Sequence, residues 1–106
     1  MSHYFLLTAQ DASDGAERRQ ANRAEHVARV TQAQADGVVK LGGPLLDEND
    51  QMTGSFMVFA LPTRQAVEDW IETDCYVLNH VWSSWTIQSV GIAPCFLQAK
   101  PDLITP

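Results

Sequence analysis

The sequence predicts an α+β domain: a four-stranded antiparallel sheet with two helices on one face. Three observations lead there. Segments alternating at period two flank segments repeating at the helical period, in the order strand, helix, strand, strand, helix, strand. The middle two strands follow each other closely enough to pair as a hairpin, and the other connections are helical crossovers. The strands are apolar on both sides, so both faces of the sheet require cover.

The first strand is expected over His3 to Ala9, with Tyr4, Leu6 and Thr8 on one face and His3, Phe5 and Leu7 on the other. A long helix follows from about Asp14 to Asp36. Asp14 or Ser13 can cap it, and Gly37 ends it by taking the left-handed conformation cheaply. On a helical wheel Ala16, Ala24, Val27, Val30, Thr31 and Gln34 form a stripe predicted to face the sheet. Arg18, Glu25, Arg29 and Asp36 fall opposite, with Glu25 and Arg29 spaced for a surface ion pair. Arg23 falls within the apolar stripe and His26 on its edge, so Arg19, Arg23, His26 and Val30 share one side of the helix.

Val38 to Leu41 reads as the second strand, Gly42-Gly43-Pro44 as a bend, and Asp47 to Asp50 as a polar turn. The third strand is Thr53 to Leu61. Thr63 caps a second helix that buries Val67, Trp70 and Ile71. A short connection from Asp74 through His80 leads to the last strand, about Trp82 to Ile92. Right-handed crossovers place both helices on one side, giving the ferredoxin-like βαββαβ plait. Residues 1–93 form this domain and 94–106 a C-terminal extension. A second copy of the chain is the simplest cover for the free sheet face, so a face-to-face homodimer is expected.

A chain of 106 residues is one domain, long enough to bury roughly 60–70% of its unfolded surface. With 45% hydrophobic and 19% charged residues it has the balance of a folded globule. No run reaches the roughly 20 apolar residues of a membrane span. Seven basic against thirteen acidic residues give a charge of −6, which repels phosphate backbones and anionic membranes. No nucleic-acid or membrane partner is therefore expected. The first residues lack a secretory signal, so a cytoplasmic location is expected, with Cys75 and Cys95 as free thiols.

His26 is the strongest candidate for chemistry. A cation such as Arg23 beside it requires an anion, and Asp74, where the chain returns to the helical layer, is the best placed. A carboxylate on one ring nitrogen fixes the tautomer and stabilises the imidazolium, as a general base requires. Ser55, at the start of a strand, can hydrogen-bond a substrate oxygen. No Gly-x-Ser-x-Gly elbow makes it a nucleophile. Cys75 as a thiolate, or a metal held by His26, Asp74 and His80, are lesser alternatives without supporting spacing. Trp70, Trp82 and Trp85 stand at core or interface spacing, and one of them can border a pocket for a flat ring.

The Tyr-Phe-Leu-Leu strand, Arg23-Ala24-Glu25-His26, Asp36-Gly37, Gly42-Gly43-Pro44, Thr53-Gly54-Ser55 and Asp74 with Tyr76 occur in an order that resembles the YCII (YciI-like) family over nearly the whole chain. The resemblance implies a ferredoxin-like fold paired into a dimeric α/β barrel, with a His–Asp dyad carried over here as His26 and Asp74. A family member with a known role is a dehydrochlorinase of aromatic degradation, and distant structural relatives include muconolactone isomerases. Cys75 stands where the family usually has proline, which frees a backbone N–H beside Asp74. The extension from Cys95 exceeds the family's usual ending and either covers a pocket or braces a dimer.

The expectation is a small enzyme needing no cofactor or metal. His26 takes a proton from a small hydroxylated cyclic or aromatic substrate, oriented by Asp74. Arg23 and Ser55 hold the developing oxyanion, Gly43 and Pro44 form a wall, and Tyr76 completes the substrate site. The outcome is elimination of chloride or an isomerisation. The alternative is a non-catalytic dimeric module that binds a small ligand.

Overall fold

A computed structural model describes residues 3–97. Four strands, β1 (Tyr4–Asp11), β2 (Val39–Leu46), β3 (Met52–Ala60) and β4 (Trp82–Val90), form one antiparallel sheet in the order β2-β3-β1-β4. Helices α1 (Ala16–Ala35), α2 (Arg64–Glu72) and the one-turn α3 (Cys75–Leu78) complete the fold. This is the ferredoxin-like arrangement, with a third short helix where the sequence suggests only a connection. That segment is helical because the Asp74 carboxylate caps it, accepting from Tyr76 N at 3.0 Å.

The core lies on one side of the sheet. Phe5, Leu7 and Ala9 of β1, Val39 of β2, Met57 and Phe59 of β3, and Ile87 of β4 are buried there, against Val67 and Ile71 of α2. Complete burial of Val67 and Ile71 contributes about 1.5–3 kcal/mol each. Thr63 caps α2 as expected, its Oγ1 accepting from Ala66 N at 3.1 Å. On the opposite face Leu6, Val58 and Leu41 share one row and Thr8 and Phe56 the next. Among the described residues no helix covers this side, and Leu41 is 53% exposed.

Several boundaries differ from the sequence reading. The N-cap of α1 is Gly15, without a side-chain cap; Asp14 instead accepts from Arg18 Nη2 at 2.8 Å. The other end follows expectation. Gly37, at φ 78°, directs its N–H to Gln34 O, and Val38 N–H reaches Ala33 O, which satisfies two terminal carbonyls. Gly42-Gly43-Pro44 is no bend: it runs straight through β2. Proline is tolerated because β2 is an edge strand and needs no second ladder partner there. The last strand stops at Val90, followed by a 3₁₀ turn at Pro94–Phe96. The expected extension continues through residues 98–106, outside the described residues.

The largest difference concerns α1. Its buried residues are Arg19 and Ala33, with Asn22, His26, Arg29 and Val30 half-buried between them. This seam lies roughly a third of a turn from the predicted apolar stripe, taking about 100° per residue. Ala24, Val27, Thr31 and Gln34 are exposed. The helix docks through charged side chains that find partners on the sheet and on α3. Among the described residues no helix is long and apolar enough to cross a membrane.

Candidate active site

His26 stands midway along α1, on the seam. Its Nδ1 lies 2.7 Å from Asp74 Oδ2. Asp74 is fully buried and is placed by its role as the cap of α3. Burial raises the pKa of this carboxyl. The opposing hydrogen bond and charge of His26, the Tyr76 N–H and Arg29 outweigh it and hold the group below its ordinary value. Asp74 is therefore ionised and accepts only. Nδ1 of His26 therefore donates to it, which leaves Nε2 as the ring nitrogen not engaged by Asp74.

Two contacts fix the imidazole further. It stacks on the Tyr76 ring, 3.9 Å between centroids and 4° from parallel, and meets the edge of Trp82 at 5.9 Å. The second oxygen of Asp74 accepts from Arg29 Nη1 at 3.1 Å. Arg29 also donates to Trp70 O and Thr73 Oγ1 and lies 3.7 Å over the Trp70 ring. The cation that meets Asp74 is thus Arg29, assigned by its wheel position to the solvent face beside Glu25. Arg23, expected in that role, is exposed.

His26 opens onto a cleft of about 210 Å³ between α1 and the β2–β3 edge. Of the predicted site residues, Arg23, His26, Ser55, Gly43, Pro44 and Tyr76 line it, whereas Asp74 stands behind His26 as its support. Val27, Val30 and Thr31 of the predicted sheet-facing stripe line the cleft instead, which accounts for that apolar pattern.

Arg19 and Asp11 belong to the site and were not singled out for chemistry. A register shift at the end of β1, between Gln10 and Asp11, accompanies the turn of the Asp11 carboxylate to Arg19, whose Nη1 donates to both its oxygens at 2.9 and 3.1 Å. Burial raises the Asp11 pKa against the pull of Arg19. Arg19 Nη2 donates to Gly54 O and Ser55 Oγ at 3.1 and 3.0 Å, and Trp82 Nε1 donates to the same Oγ at 3.3 Å. Both lone pairs of Ser55 are engaged, so its own proton remains to be donated. The signal for Arg19 in the sequence is its seven-residue spacing from His26, two helical turns that return to the same helix face.

Cys75 is not an activated thiol. It occupies the first position of α3, where proline is favoured because the N–H there has no helical partner, so cysteine replaces proline without disturbing the Asp74 cap. Burial, with Glu25 and Asp74 nearby, pushes its pKa up to about 12, and its Sγ donates to Asn22 O. Cys75 and Cys95 are both free. Among the described residues no three His, Cys, Asp or Glu side chains come together as a metal-ligand set. His80 is exposed and away from the cleft lining.

Fold and site together define a small α+β protein of the ferredoxin-like class whose cleft carries a carboxylate-supported histidine. The model of the YCII-related domain matches residues 3–90, and the chain belongs to that family. An uncharacterized protein of Haemophilus influenzae is 36% identical over 86 residues, covering 76% of this chain and 88% of the relative. Protein YciI of Escherichia coli is 28% identical over 90 residues, covering 79% and 92%. Among solved structures, the 5-chloro-2-hydroxyhydroquinone dehydrochlorinase TftG of Burkholderia phenoliruptrix AC1100, in complex with 2,5-dihydroxybenzoquinone, superposes with a TM-score of 0.75 at 22% identity. That match covers 85% of this chain and 95% of the neighbour, and establishes the likeness of fold.

Proposed function

We propose that this chain is a small enzyme that moves protons on a hydroxylated cyclic or aromatic substrate. The observation that carries the reading is the His26–Asp74 pair on the wall of an open cleft. His26 Nε2 takes a proton from a ring hydroxyl, and Asp74 stabilises the imidazolium formed. Ser55 donates to the oxygen on which charge develops, held ready by Arg19 and Trp82. Gly43 and Pro44 wall the ring, and Tyr76 fixes the imidazole plane.

Where the ring carries chlorine, ketonisation moves one hydroxyl proton to the carbon that bears it, and loss of a second hydroxyl proton to His26 and of chloride with its bonding pair then leaves a quinone. The step balances without an external oxidant. Where it carries none, returning the proton elsewhere is an isomerisation. The dehydrochlorinase neighbour and its quinone ligand support the first outcome. A second copy packed on the face bearing Leu6, Leu41, Phe56 and Val58 would complete a dimeric α/β barrel. The two unpaired thiols agree with a reducing, cytoplasmic setting.

The test is turnover of hydroxylated quinols and lactones by wild type, His26→Asn and Asp74→Asn. With the fold verified by circular dichroism, His26→Asn lowers kcat by roughly 10²–10⁴-fold. A wild type that binds such rings and turns over none, with His26→Asn lowering only thermal stability, supports the non-catalytic binding module instead.

A further inference from the structure

We propose that the ring bound in the cleft already carries a carboxylate, and that Arg23 is its anchor. The proposal rests on the reading of the cleft as the place where His26 works, and it narrows the substrate class. Arg18, Arg19, Arg29 and Arg64 each meet a carboxylate, on Asp14, Asp11, Asp74 and Glu68, at 2.8, 2.9, 3.1 and 3.6 Å. Arg23 meets none among the described residues. In a chain with thirteen acidic and seven basic residues, an arginine without a carboxylate is conspicuous. This one lies on the cleft wall, one helical turn before His26.

Among the described residues the cleft lining contains no Asp or Glu. Its charged and polar groups are Arg19, Arg23, His26, Thr31, Ser55 and Tyr76, so the local field is opposite in sign to that of the whole molecule. A second observation is independent of Arg23. Arg19 Nε is buried and has no hydrogen-bond partner among the described residues, on a side chain that also borders the cleft. Native proteins rarely leave such a donor unpaired, and it marks this end of the cleft as richer in cationic donors than in protein acceptors. Arg19 and Arg23 both oppose the burial that raises the Tyr76 pKa, which places both cations near its phenol.

The size fits a ring with one small planar substituent. A cavity of about 150 Å³ holds benzene, and this cleft is about 210 Å³. Carboxylate matches the planar guanidinium fork. Arg23 and His26, at i and i+3, project from points about 5–6 Å apart. One aromatic ring can therefore carry its charge to Arg23 and a hydroxyl to His26. Arg23 then holds a charge present before and after proton transfer, in addition to any oxyanion that develops.

The experiment titrates para-hydroxybenzoate and para-hydroxybenzamide into the full chain by calorimetry. The acid is expected to bind about ten- to a hundredfold more tightly than the amide, the range of a charge-assisted contact. Arg23→Met is expected to bring the two within a few fold, Arg23→Lys to recover part of the preference, and His26→Asn to retain it. Equal binding by wild type, a preference that survives Arg23→Met, or binding of neither probe overturns the proposal. Failure of the proton-transfer reading has a different sign: His26→Asn that keeps full turnover.

Discussion

The imidazole of His26 lies flat on the phenol ring of Tyr76, 3.9 Å away and 4° from parallel. The same Tyr76 gives its backbone N–H to the Asp74 oxygen that binds His26. One residue therefore sets both the plane of the base and the position of its partner.

Tyr76→Phe keeps the ring and the backbone bond, and is expected to fold with an unchanged melting temperature. Tyr76→Leu loses the stack and is expected to lose about 1–3 kcal/mol. Thermal melts of the two variants check this, and equal loss in both would show that the hydroxyl matters more than the ring.

Arg29 is a positioning residue, acting through Asp74 and bridging α1 to Trp70 and Thr73. Arg29→Met is expected to cost about 1–3 kcal/mol and to lower kcat by up to about a hundredfold with KM little changed. Arg29→Lys should recover part of the kcat. Loss of stability with unaltered kcat would leave Arg29 a structural tie alone.

The two buried carboxylates respond to acid with opposite signs. The pKa of Asp74 is lowered in the fold, so its contribution is complete above the unfolded value of about 3.9 and is lost as pH falls through the folded value. The pKa of Asp11 is raised, so its contribution is complete below the unfolded value and declines as pH rises from there through the higher folded value. Denaturant unfolding below about pH 4 should show wild type losing stability faster than Asp74→Asn. Parallel pH curves for the two would show Asp74 to be uncoupled from acid unfolding.

The cysteines should separate cleanly. With its pKa pushed up to about 12, Cys75 is expected to resist iodoacetamide at mildly alkaline pH, whereas the exposed Cys95 is alkylated. Peptide mapping of native and unfolded protein reads this directly. Equal labelling of both in the native state contradicts the burial of Cys75.

The plait was legible because its signals are local. Alternation marks β1 and β3, Thr63 caps α2, and Gly37 closes α1. His26 and Asp74 stood out as residue types and through the family resemblance. Arg19, Arg29 and Asp11 did not, because amphipathic reading assumes that the buried side of a helix is apolar. Here the buried side is charged, and the apolar residues face a cleft no wheel can show. Gly42-Gly43-Pro44 misled for a related reason: turn-forming residues are also tolerated on an edge strand, and edge status depends on the assembled sheet.

The stripe that fastens α1 to the sheet is the same stripe that holds the base. Greasy replacement of both members of a pair, Arg19 with Asp11 or Arg29 with Asp74, would tighten the helix by burial while dismantling the scaffold around Ser55 and His26. Adhesion and reactivity are thus competing demands on one set of positions. Variants selected purely for heat resistance along this helix should drift toward sturdy, inactive molecules.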